Sequence, residues 1–461
     1  MDTVVDAYID IAPGTSPMRA AFIGDAAYSP LRLAVQSTLA QSGIRWVCVA
    51  NSGPDAVSAL GPLAENSRVV LLDPNPVEDL PARHVGQSLR AFSHTSTLHG
   101  VLMSTEFCAT LNPHALIASM RRPHPHFIVY VPPTAGFITA GVMQSLFEEA
   151  ERNGWRTGGF TADAPRGMAP LIPSRQWLED CVRDQVLTQA YFWGLGHFWG
   201  QQFVHVHTTV VQTRRAFDLG SSRMAGFCKS VAQAIAAKHG GALPPGDALS
   251  MEEVALAGNA LAGQWAGNLP QDVEIEVCPR RQVKAHYLPA PMTGEPMPLA
   301  LFQRILDQLA PAGDSTMLTI GGLGDPLLHP EIEAMIDYAR PRVRGLNITT
   351  FGNSLTRARM ERFMELRVDT VTVRLGAWGK AAHEAVTGDT GFDEMAKRLL
   401  EIRKWQIEEK ETPLPMIVPQ VVKAAEGDAT LVEFFSTWRA LVGWPVVTNV
   451  PVVWEKGADS K

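Results

Sequence analysis

The stretch Gly322-Leu323-Gly324-Asp325-Pro326-Leu327-Leu328-His329-Pro330 follows an apolar run and precedes a helical pattern. A Gly-rich strand-to-helix turn lets a ligand approach the backbone closely and offers amide N–H groups to an anion. The plainer reading is a turn that the fold itself needs. Asp325, His329 and Glu331 could form an acid/base group there, though their spacing also fits an ordinary helix start. His205 and His207 lie two apart on an apolar run, so a strand would point both to one face. A divalent ion could use that pair with a third ligand from elsewhere, and a solvated strand face explains it more simply. His124 and His126 flank Pro125 and read as loop residues. Tyr191, Phe192, Trp193, Phe198, Trp199 and Phe203 read as core or interface packing. Cys48, Cys108, Cys181, Cys228 and Cys278 are scattered singly, with no C-x-x-C spacing. That argues against a disulfide framework and against a cluster on closely spaced thiolates, leaving small buried hydrophobes. No G-x-S-x-G, P-loop or H-E-x-x-H motif is present.

The elements that would position these residues form two series. From Met18 to about Thr213, short apolar runs alternate with helical stretches. Arg19–Ile23 reads as a first strand, followed by Trp46–Val49, Val69–Leu72 and Phe127–Val131. Leu31–Gln41 and Gly141–Asn153 read as helices, and Phe203–Val211 as an edge strand. Continuous apolar strands alternating with helices predict a mostly parallel sheet covered on both faces. Residues 222–270 read as a helical connector, with Gly240–Gly246 as its flexible joint. The second series predicts strands at Val273–Val277, Thr316–Ile320, Leu346–Thr350, Val371–Leu375, Met416–Val422 and Val446–Val450. Its helices fall at Leu299–Leu309, Pro330–Ala339, Arg357–Leu366, Phe392–Ile407 and Ala429–Leu441. Six such units suit a barrel-like fold better than a flat doubly wound sheet.

Length and composition bound the function classes. The 461 residues predict two to three domains, and 46% hydrophobic with 19% charged residues is an ordinary globular composition. A net charge of −7 from 40 basic and 47 acidic side chains gives no sign of a nucleic-acid binder. The acidic N-terminus lacks the positive start of a secretory signal, and no apolar run reaches the roughly 18 residues of a membrane span. The expected compartment is the cytoplasm.

From about Asp272 to Pro451 the chain resembles the radical S-adenosylmethionine (SAM) family. Gly322–Pro330 is similar to that family's G-x-G-E-P-L-L-H-P turn, whose backbone receives the methionine part of the cofactor; Asp325 stands where the family has Glu. Thr350-Phe351-Gly352-Asn353-Ser354-Leu355 resembles the following T-N-G-T-L-L loop. In Val368–Leu375, Arg374 replaces a usual Ser, and His383 to Phe392 resembles an H-x-x-x-x-G-x-x-G-F stretch. The resemblance implies cofactor contacts at Gly322, Gly324, Asp325 and Thr350. Aligned on the strand Ile275-Glu276-Val277 and on Gln282-Val283-Lys284, the family's three cluster cysteines fall on Arg281, Ala285 and Leu288. None of these binds iron, and the single thiolate of Cys278 cannot hold a [4Fe-4S] cluster that needs three.

The first half resembles nucleotidyltransferase domains of glycosyltransferase-A type, with Ala20–Leu31 as a nucleotide loop keeping only Gly24. The metal-binding D-x-P-F segment is replaced by Pro132–Ile138, which carries no carboxylate for a hard cation. The fusion resembles the spiro-SPASM arrangement, without cysteines after Cys278. The expected fold class is therefore α/β: a nucleotidyltransferase-like Rossmann-type sandwich at 1–221, the connector at 222–270, and a partial (β/α)6 TIM-like barrel of radical-SAM type at 271–461. The expected function is a catalytically degenerate accessory or scaffold subunit, or small-ligand binder, in a biosynthetic or modification pathway, with a protein or small-molecule partner. No cofactor is firmly implied, SAM without a [4Fe-4S] cluster being the first to consider. The alternatives are nucleotidyl or glycosyl transfer by the N-terminal domain, or non-radical SAM chemistry.

Overall fold

The computed structural model describes residues 5–12, 16–72, 113–121, 126–153, 159–161, 171–183, 202–204, 216–261, 269–284, 294–376, 379–410, 414–423, 428–442 and 445–449, with Pro165, Gly167, Met168, Pro170, Gly263 and Leu288 besides. The chain divides into two compact units, and the described residues of the second begin at Leu269. His124, His205, His207, Cys108, Ala285 and the aromatic residues 191–199 lie outside the described residues.

In the first unit, β1 (Val5–Ile9), β2 (Ile44–Val49), β3 (Val69–Leu71) and β4 (Ile128–Val131) form a parallel sheet in the order β3-β2-β1-β4, and β5 (Gly159–Thr161) and β6 (Gln202–Val204) pair in parallel in a second sheet. The strand order reverses between β1 and β4, the crevice where open α/β sheets bind ligands. Sequence periodicity missed β1 because Asp6 interrupts its apolar run. Asp6 is fully buried, and Arg45 neutralises it with two bonds of 3.0 and 3.1 Å. Such a pair offsets the cost of burying a charge.

The stretch expected as the first strand, Arg19–Ile23, is instead the end of a helix, Pro17–Ile23. Ser16 caps it through Oγ, which accepts the Arg19 N–H at 3.2 Å, and Pro17 fills the first turn. These start signals outweigh a five-residue apolar run that suits either element. Gly24 ends the helix at φ +68°, where a Cβ would lie 2.1 Å from the Tyr28 carbonyl oxygen. It is a chain-reversal glycine.

The described residues of 222–270 do not form a free connector. Helices Ser222–Lys238 and Met251–Leu261 bring Phe227, Cys228, Val231, Ile235 and Val254 into the core of the first unit. Within the expected joint, the Gly246 N–H donates to Gln36 at 3.0 Å and its carbonyl accepts from the Ser37 hydroxyl at 2.9 Å.

The second unit has six parallel strands: β7 (Asp272–Ile275), β8 (Met317–Ile320), β9 (Gly345–Thr350), β10 (Thr370–Gly376), β11 (Met416–Lys423) and β12 (Val446–Asn449). Each pairs with the next in sequence, so the sheet winds in one direction, as a barrel does, without the reversal of the first unit. β7 and β12 are its two edges, which makes the barrel partial. Leu318, Ile320, Leu346, Ile348, Val371 and Val373 face the helices and pack with Phe302, Met335, Phe363 and Leu399. Burying each such side chain is worth about 2 kcal/mol. At alternate positions, Asn347, Thr349, Thr370 and Thr372 are polar and buried. The Asn347 carbonyl accepts from Thr370 and Thr372 at 2.7 and 3.0 Å, and its amide faces Thr319 and Thr349 at 3.4 and 3.2 Å. No helix among the described residues is long and apolar enough to cross a membrane.

Candidate functional site: the turn after strand β8

The Gly-rich turn leaves the C-terminal end of β8, where barrel loops converge on ligands. Two glycines let it lie directly on the chain leaving β7. Gly322 adopts φ +113°, and a Cβ there would sit 2.6 Å from Cβ of Glu276. At Gly324 a Cβ would sit 1.8 Å from the Cys278 carbonyl oxygen and 2.7 Å from the Pro279 carbonyl carbon. Backbone bonds complete the contact: Gly321 N–H donates to Ile275 at 3.0 Å and Asp325 N–H to Arg280 at 2.8 Å.

The groups that a ligand could use are bonded within the unit. The Gly324 N–H donates to the Glu276 carboxylate at 2.7 Å. The Arg374 guanidinium donates to the Gly322 carbonyl, and lies 5.7 Å from the centre of the Phe351 ring. The Arg281 guanidinium donates to the neighbouring Leu323 carbonyl at 3.0 Å, and to Val283 and Lys284 at 2.9 and 3.4 Å. Arg281 is only 8% exposed. Leu288 packs with Val283, Phe351 and Leu323 in a small apolar cluster of its own.

Asp325 is 2% exposed and joins two loops. Its carboxylate accepts the Leu327 N–H at 3.0 Å and the Phe351 N–H at 3.3 Å, with the Thr350 hydroxyl 2.9 and 3.0 Å from its two oxygens. Burial raises its carboxyl above the ordinary aspartate value, outweighing the opposing pull of those donors and of Arg359. The Thr350 hydroxyl also accepts the Gly352 N–H at 3.1 Å. Of the four positions expected to meet a cofactor, Gly322, Gly324, Asp325 and Thr350, the structure brings all into one loop cluster and gives each a partner within the chain.

The acid/base group expected of Asp325, His329 and Glu331 does not assemble. The buried His329 ring has Nε2 2.9 Å from the Met297 carbonyl, which requires a proton there, and Nδ1 accepts the Glu331 N–H at 3.0 Å. Both nitrogens are thereby committed, and the Glu331 side chain is exposed at the start of helix Ile332–Ala339. Cys48, Cys228 and Cys278 are free and buried, as small hydrophobes are. Burial pushes the Cys48 thiol up to about 11, with nearby Asp6 adding to the shift.

In the first unit, the sheet's C-terminal edge carries residues that the linear reading did not single out. Asp10, just past β1, is buried, and its carboxylate accepts the Tyr130 hydroxyl at 3.0 Å. Asp218 is fully buried beside Ala135, so the acid-free segment Pro132–Ile138 gains a carboxylate from far along the chain. Arg19 binds Asp55 bidentately at 2.8 and 2.7 Å and donates to the Ala12 and Asn51 carbonyls. Its bond to Arg19 holds the Asp55 carboxyl below the ordinary value. No local pattern announces these pairs, because each joins residues dozens of positions apart.

No protein-family model matches this chain. It is 29% identical over 133 residues to a tungsten-containing aldehyde ferredoxin oxidoreductase cofactor-modifying protein of Pyrococcus furiosus, a match covering 29% of this chain and 37% of that protein. Among solved structures, Streptococcus suis SuiB bound to S-adenosylmethionine has a TM-score of 0.34 at 14% identity, over 44% of this chain and 47% of SuiB. A cytidylyltransferase from Leptospira borgpetersenii has a TM-score of 0.36 at 11% identity, over 58% of this chain and 98% of its own. The chain thus spans well under two thirds of the curated relative and of SuiB, and two α/β units with parallel sheets are its observed architecture.

Proposed function

We propose that the chain is an accessory or scaffold protein of a biosynthetic or modification pathway, with a barrel of radical-SAM type that performs no radical cleavage. One observation carries this reading: at the first position aligned with a cluster cysteine stands Arg281, buried and bonded to three carbonyls of the loops around it. A guanidinium is no iron ligand, and Leu288, at another such position, is packed into the apolar cluster with Val283 and Phe351. These residues do not fit an iron–sulfur cluster. The name of the Pyrococcus relative, a cofactor-modifying protein, agrees with a place beside a cofactor or modification system. The partner would be a protein or a small molecule. SAM remains the first small molecule to try at Gly322, Gly324, Asp325 and Thr350, and it would have to displace Arg374 from the Gly322 carbonyl and Glu276 from the Gly324 amide.

The test is anaerobic reconstitution of the full chain with iron and sulfide. The protein is expected to stay colourless, and to bind SAM in calorimetry no tighter than about 1 mM. A brown sample holding about four irons per chain would overturn the reading, since that is the stoichiometry of a four-iron cluster.

A further inference from the structure

The loops after β9 and β10 bring together three side chains that the closed turn does not use. His383 lies on helix Lys380–Thr387, Asp389 follows that helix, and Asn353 follows β9. His383 is 2% exposed, and its Nδ1 faces the Leu375 carbonyl in a short contact. A carbonyl only accepts, so Nδ1 carries a proton, and Nε2 is left to hold either a second proton or a metal ion. That Nε2 is buried without a hydrogen-bond partner, 3.7 Å from Oδ2 of Asp389. A lone pair facing a carboxylate oxygen is repulsive unless a cation lies between them.

Asn353 completes the group. Its Nδ2 is 3.1 Å from the same Oδ2 of Asp389, and its Oδ1 is buried without a donor. Amide nitrogen and oxygen are assigned from such contacts, and a half-turn would place Oδ1 beside Oδ2 at that spacing. The other Asp389 oxygen accepts the Gly391 N–H at 2.9 Å, which fixes the carboxylate. Arg398 is the nearby cation, and its guanidinium is engaged by the Gly352 and Asn353 carbonyls at 3.3 and 3.0 Å.

We propose that His383 Nε2, Asp389 Oδ2 and Asn353 Oδ1 bind one divalent transition-metal cation. Two donor atoms each about 2.1 Å from an ion and 3.7 Å apart subtend about 120° at it, within the range of tetrahedral and five-coordinate sites. Donation of the other ring N–H to a backbone carbonyl is the orienting contact that metal-ligating histidines make. One imidazole with two oxygens suits zinc or manganese better than calcium, which takes oxygens alone. No three His, Cys, Asp or Glu side chains gather for a metal among the described residues, so an amide must supply the third ligand.

The experiment titrates the chelator-treated full chain with zinc by calorimetry, beside Asp389→Asn and His383→Gln. Zinc also binds other histidines, so the reading is a difference: the wild type is expected to take up one ion more per chain than either variant. Asn353→Asp adds a charge at a partly exposed position and is expected to tighten that ion about tenfold, since ligand charge tunes affinity. Equal stoichiometry in wild type and the two variants would overturn the proposal and leave His383 as an imidazolium paired with Asp389. So would an Asn353→Asp protein with unchanged affinity, which keeps the test decisive if His383→Gln fails to fold. None of these readings depends on the iron experiment above.

Discussion

Gly324→Val is expected to unfold the second unit or to lower its urea midpoint sharply, and Gly324→Ala already to cost about 3 kcal/mol. The first side-chain carbon would lie 1.8 Å from the Cys278 carbonyl oxygen, and the obstacle is backbone that cannot swing aside. Relieving it means parting the turn from the chain after β7, which breaks the Asp325-to-Arg280 and Gly324-to-Glu276 bonds. A loss of that size is a large share of the roughly 5–15 kcal/mol that holds a domain together. Gly141 is the control, because nothing lies within 4 Å of a Cβ there and alanine should be neutral or slightly stabilising. A Gly324→Ala protein with a wild-type midpoint would show that the glycine serves ligand approach rather than chain packing.

The second large effect is expected at Asp325. Replacing it by alanine strips the acceptor from the Thr350 hydroxyl and from the Leu327 and Phe351 N–H groups, and should cost about 2–3 kcal/mol in urea unfolding. Asn should recover part of that loss, because its carbonyl still accepts. The pH response is the sharper test. Burial raises the carboxyl of the folded state above that of the unfolded chain. The folded state therefore binds the proton more tightly, and this group's contribution grows as pH falls through the folded value and is lost as pH rises through it. Asp325→Asn should remove that gain on acidification. An unchanged pH profile would mean that the buried carboxylate titrates like an exposed one.

Much of the second unit was legible because its signals are local. Strands such as Val371–Leu375 alternate apolar and polar residues over the right length, and helices such as Phe392–Glu408 carry the apolar spacing that faces one side. The turn at Gly322–Pro330 was visible for the same reason, since glycine and proline mark chain reversal wherever they stand. Less legible was the polar ladder on β8, β9 and β10, which is buried on β9 and β10. Its signal was present as the period-two alternation of Thr319, Asn347, Thr349, Thr370 and Thr372 between apolar residues. The helix Lys380–Thr387, which carries His383, was also unassigned, because eight residues between two glycines give little periodicity to read.

By itself the sequence determined two α/β halves, the strand order of the second, and cysteines scattered singly. Those follow from residue type and near-neighbour spacing. Only the tertiary structure decided that Val5–Ile9 is an interior strand, that residues 222–261 belong to the first core, and what fills the turn. The reason is separation along the chain. Asp6 needs Arg45 before it can be buried, Gly324 matters because of Cys278, and Arg374 reaches Gly322 from more than fifty residues away. His383, Asp389 and Asn353 likewise meet only because β9 and β10 are neighbours in the sheet. A charge, a glycine or an imidazole declares its type in the sequence, and its partner is chosen by the fold.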